Sequence, residues 1–89
     1  MESYVLIHTL VGRAGDVAKA VSRLSCVEHA AMVTGPYDVI ARVEGDCQKD
    51  ISTFVTEDVQ PLPGVARALT CPIMGRHRKP EPELESVAV

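Results

Sequence analysis

Apolar and polar side chains repeat along this chain with two different periods, and the changes of period mark its elements. Residues 3–11 (Ser-Tyr-Val-Leu-Ile-His-Thr-Leu-Val) are rich in β-branched side chains and read as a strand that Gly12 ends. Val17, Ala20, Val21 and Leu24 follow at i, i+3, i+4 and i+7, which predicts one apolar stripe on a helix over 14–24. Asp16 falls in its first turn, where the helix dipole favours an acid. Residues 27–34 form a second strand. Gly35-Pro36-Tyr37 is a turn signal, and a third strand over 38–44 returns antiparallel to the second. Gly45-Asp46 breaks it, and Asp46 suits an N-cap. The second helix is expected over 47–59, with Ile51, Phe54 and Val55 on its buried face. Pro61 and Pro63 stop it, Gly64 turns the chain, and residues 65–74 make a fourth strand. Pro72 cannot donate to a ladder, which places this strand at a sheet edge.

The order β-α-β-β-α-β predicts an α+β, ferredoxin-like domain. Right-handed crossovers set both helices on one face of a four-stranded antiparallel sheet with strand order 4-1-3-2. The other face should then be polar, yet these strands are apolar on both sides. Strand 1 offers Tyr4, Leu6 and Leu10 on one side and Val5, Ile7 and Val11 on the other. Strand 4 offers Val65, Leu69 and Ile73 against Ala66, Ala68 and Met74. An open apolar patch of this size is rare on a soluble monomer. A homodimer with its sheets packed face to face, about 10 Å apart, resolves the conflict. The folded domain is expected over 1–75, and 76–89, rich in Pro and Glu without periodicity, as a flexible C-terminal tail.

With 89 residues there is room for one domain, whose small core gains from oligomerisation. Its aromatic residues are Tyr4, Tyr37 and Phe54, so Val, Ile, Leu and Ala must fill that core. The net charge of −3 and scattered Lys and Arg argue against direct DNA or RNA binding. No apolar run approaches the roughly 20 residues of a membrane span. The first residues lack the basic region of a signal peptide. Cys26, Cys47 and Cys71 are odd in number and lack CxxC spacing, so neither a disulfide framework nor a zinc site is indicated. They read as small, mostly buried thiols in a cytoplasmic protein. His8, His29 and His77 have no metal-ligand spacing, and no metal or cofactor is expected.

Residues 33–44 (Val-Thr-Gly-Pro-Tyr-Asp-Val-Ile-Ala-Arg-Val-Glu) resemble the central signature of the Lrp/AsnC effector-binding domain, also called the RAM domain. Gly12-Arg13, the run Leu62-Pro63-Gly64-Val65, and Thr70 also match its pattern, and the similarity covers 3–74. Ala68, where the family often has Thr, and Pro72 depart from it. Full-length members carry an N-terminal helix-turn-helix, whereas this chain starts at strand 1, so it resembles a stand-alone form. The resemblance implies dimers that join into tetramers or octamers. It also implies small effectors, usually amino acids, bound between subunits, with any effect on transcription exerted through a helix-turn-helix-bearing relative.

An amino acid presents a carboxylate and an ammonium. Gly35 allows a close backbone approach to the carboxylate. Thr34 and Thr70 offer hydroxyls, Asp38 can pair with the ammonium, and Tyr37 can meet the side chain. The same Gly-Pro-Tyr-Asp run is also good turn chemistry, and the residues alone leave both readings open. Two other functions compete. One is a small dimeric α+β barrel enzyme, such as a cofactor-free monooxygenase, with His8 as its acid or base. No further catalytic partner is visible for it, so no catalytic residue is assigned. The other is an assembly module without a ligand.

Overall fold

A computed structural model describes residues 2–44, 50–77, 79 and 80. The elements are β1 (Ser3–Thr9), α1 (Ala14–Ser22), β2 (Val27–Met32), β3 (Val39–Val43), α2 (Ile51–Phe54) and β4 (Val65–Pro72). A wider π-type turn (Val55–Val59) continues α2 without a break. The sheet order is β2-β3-β1-β4, with every neighbouring pair antiparallel. This is the expected ferredoxin-like arrangement, and Pro72 lies on an edge strand.

Strand register decides which side chains the helices cover. Val5 stands opposite Ala41 and Thr70, and Ile7 opposite Val39 and Ala68. With Val43 they form the helix-facing layer, onto which Val17 and Val21 of α1 and Phe54, Val55 and Val59 pack. Most of these side chains are β-branched, as the scarcity of aromatics requires.

The strands are shorter than their apolar runs, for local reasons. β1 stops at Thr9, not at residue 11, because the Leu10 N–H donates to the Gly64 carbonyl (2.8 Å) and the Leu10 carbonyl accepts from Arg13 (3.0 Å). Leu10 and Val11 are therefore exposed loop residues. A bulge follows His8: its partner is Arg67, whereas Thr9 pairs with Val65. Ala66 is the extra residue, and Val65 turns toward the core instead of sharing the side of Leu69. Gly64, before this bulge, has φ of +94°. A Cβ there would lie 3.0 Å from Val17 Cγ2 and from Arg13 Cβ. Glycine is required for both conformation and space.

The second helix starts at Ile51 and not at 47: Asp50 is extended (φ −66°, ψ 160°) and caps it, its carboxylate accepting from the Thr53 N–H at 2.9 Å. The expected cap, Asp46, lies outside the described residues. Within the π-type turn the Gln60 N–H reaches the Val55 carbonyl at 2.9 Å. The widened turn brings Val59 into the core beside Phe54 and Val55, while Ile51 packs at its margin.

The cysteines correct one expectation. Cys26 is disulfide-bonded and Cys71 is a free, exposed thiol, so the picture of three buried thiols does not hold. Cys47 lies outside the described residues. Among the described residues no helix is long and apolar enough to cross a membrane.

Candidate ligand-binding site

The face of the sheet turned away from the helices is apolar in its middle and polar at both ends. Leu6 stands opposite Ile40 and Leu69, and Tyr4 opposite Arg42 and Cys71. Tyr4, on the central strand β1, and Leu69, on the edge strand β4 beside it, are 37% and 38% exposed.

At one end the turn between β2 and β3 folds over the end of β1. Asp38 ties three strands together there. Its N–H donates to the Ile7 carbonyl (3.0 Å), its carbonyl accepts from Val33 (2.9 Å), and its carboxylate accepts from the Thr9 N–H (2.9 Å). His8 Nδ1 lies 3.9 Å from the same carboxylate oxygen. The Tyr37 ring packs on the His8 ring, with centroids 4.6 Å apart and planes at 38°. Gly35 has φ of +131°, and a Cβ there would meet nothing within 4 Å, so its backbone faces open space. Thr34 is exposed and, with Met32 and Val33, lines an open hollow of about 520 Å³.

Of the five residues singled out from the sequence, Tyr37 and Asp38 therefore meet at one corner, with Thr34 and Gly35 on the turn leading to it. Thr70 does not join them within one subunit. It stands opposite Val5 on the helix-facing side. The corner also contains His8 and the Thr9 N–H, which the sequence pattern does not assign to ligand binding. A signal exists all the same: pairing Ile7 with Val39 sets His8 beside Asp38.

The opposite end of the face holds a charge cluster. Arg42 pairs with Glu2, with Glu28 at 3.3 Å and with Glu44 at 3.8 Å, and Arg76 also pairs with Glu2. Glu28 thus pairs with Arg42, not with its sequence neighbour His29, and Arg76 folds back onto the start of β1. One oxygen of each of the three glutamates lies within 4.8 Å of the others. The Arg42 guanidinium already sits among them, which disfavours a cation there.

These neighbours shift the acids in opposite directions. Burial works against ionised Glu2, but hydrogen bonds and charge from Arg42 and Arg76 outweigh it and hold its carboxyl below the ordinary 4.5. Glu44 is pushed above 4.5, first by a hydrogen bond with Glu28, then by burial and by the charges of Glu2 and Glu28. Arg42 is raised, chiefly by its hydrogen bond to Glu2.

The fold is ferredoxin-like, with one sheet face that the helices leave uncovered. The chain belongs to the Lrp/AsnC ligand binding domain family, whose profile matches residues 2–83. Among solved structures it is similar to FFRP-DM1 (30% identity, 78% of this chain and 92% of that one, TM-score 0.69). It is also similar to TTHA0845 from Thermus thermophilus (28% identity, 88% and 98%, TM-score 0.77). The regulator NMB0573 from Neisseria meningitidis, solved in complex with L-Met, shares the fold (16% identity, 88% and 52%, TM-score 0.73). No curated protein matches the chain.

Proposed function

We propose that this chain is a small-molecule sensor that binds an amino acid at the Tyr37–Asp38 corner and couples binding to assembly. The domain spans 1–75 and carries 76–89 as a tail. Two copies cover each other's apolar sheet faces, as a dimeric α+β barrel, and dimers join into tetramers or octamers. The protein works in the cytoplasm and is not an enzyme. It acts on transcription indirectly, through its own assembly or by co-assembly with a helix-turn-helix-bearing relative. The observation that carries this reading is the polar corner of Tyr37, Asp38 and His8 at the end of an uncovered apolar face. Asp38 suits an ammonium, and the backbone at Gly35 suits a carboxylate. The family's name and the L-Met held by the Neisseria regulator support the choice of ligand class. A ligand that binds one assembly state better shifts the population toward it.

Titration calorimetry with the common L-amino acids, paired with solution mass measurements, tests this. The expected result is heat for a subset of them and a change in oligomer size with the same ligands. Absence of both contradicts it. The His8–Asp38 distance of 3.9 Å favours one second reading, an enzyme with His8 as acid or base. In that case His8→Ala abolishes a turnover that the wild type shows.

A further inference from the structure

The corner contains more positive charge than a simple ammonium site needs. β1 and β4 pair so that Arg67 stands directly opposite His8. Both belong to the uncovered face, since the alternating partners Ile7 and Ala68 fill the core. Side chains directly opposite on one face of an antiparallel pair are neighbours. Arg67 is exposed, and among the described residues it makes no ion pair. The other arginines of this face, Arg42 and Arg76, both hold carboxylates. Among the described residues the acid at this end is Asp38, which is hydrogen-bonded to the Thr9 N–H and lies 3.9 Å from His8.

We propose that Arg67, with His8 beside it, is an anion subsite, and that the effector is an acidic amino acid whose side-chain carboxylate it holds. This deepens the proposed sensing function and rests on it. Asp38 takes the ammonium, the Gly35 turn takes the α-carboxylate, and the guanidinium takes the second acid through paired N–H donors. The selectivity has a physical cause. When a second subunit covers the face, a neutral effector leaves the guanidinium partly out of water without a partner. An effector bearing an anion supplies that partner, so the two differ in affinity through the site left unpaired as well as the pair formed.

Calorimetry on the full chain with L-glutamate, L-aspartate, L-glutamine, L-asparagine and 2-oxoglutarate tests the assignment. The acids are expected to bind about tenfold or more tighter than their amides, the ratio a charge-assisted pair typically confers. Arg67→Gln removes this preference, weakening the acids and tightening the amides, which no longer leave a guanidinium unpaired, and Arg67→Lys restores part of it. Asp38→Asn weakens all four amino acids alike but spares 2-oxoglutarate, which has no ammonium. Mass measurements on each variant confirm that assembly persists. If amides bind as well as acids, or Arg67→Gln leaves the ratio unchanged, the anion subsite is wrong while the sensing role stands. If none of these compounds binds, the anion subsite falls, and the sensing role falls with it only if the other common L-amino acids give no heat either.

Discussion

At the residue scale, single positions carry backbone geometry or charge that their neighbours fix. Gly64 combines a left-handed φ with two contacts at the limit of approach. Gly64→Ala is expected to destabilise the fold by roughly 1–3 kcal/mol, measured by denaturant unfolding. Glu44 makes a prediction of the opposite sign. Its carboxyl is raised in the folded protein, so folding is favoured while it holds its proton, below 4.5. That contribution is lost as pH rises from 4.5 through the raised value. Glu44→Gln, which keeps a donor to Glu28, should raise the melting temperature at neutral pH and give no gain below 4.5. Glu2 works the other way. Lowered by Arg42 and Arg76, it contributes above 4.5 and loses that contribution as pH falls through its folded value. Melting curves across acid pH for wild type and Glu44→Gln separate the two.

At the element scale, the two periods in the sequence are enough to place four strands and two helices, because apolar side chains that reach the core must recur every two or every 3.6 residues. The ends are less legible. Leu10 and Val11 continue the apolar run of β1, yet a backbone bond from Leu10 to Gly64 turns the chain away. The bulge at Ala66 likewise depends on pairing with His8 and Thr9, which no local pattern encodes. It explains why Val65 and Ala68, three apart, both face the core. The site is legible in part for the same reason. Tyr37 and Asp38 are adjacent in sequence, whereas His8 and Arg67 reach the corner only through strand register. Thr70 matches the family pattern but points to the helix side. Asp50 carries no signal in the apolar pattern, yet it is a helix cap. Hydrogen bonds with Thr53 lower its carboxyl below the ordinary 3.8. Asp50→Ala should lower the melting temperature by a few degrees, and Asp50→Asn should lose less, because asparagine also caps.

At the scale of the whole molecule, the helices shield one side of a single sheet and leave Tyr4, Leu6, Ile40 and Leu69 on the other. A small domain gains from covering such a layer, and in the proposed dimer a second copy offers the same layer in return. A charge at the middle of that face should be incompatible with the pairing but tolerable in a lone subunit. Leu69→Asp, at a partly exposed position on an edge strand, should convert the assembly to monomers while the circular dichroism spectrum stays that of a folded α+β protein. Loss of effector binding in this variant would tie the corner to the assembled state.

The most direct measurement is sedimentation equilibrium of the wild-type chain over a dilution series, with and without its effector. The account predicts a dimer or larger species that persists to low micromolar concentration and changes size when effector is added. A well-folded monomer at every concentration, indifferent to ligand, would contradict it.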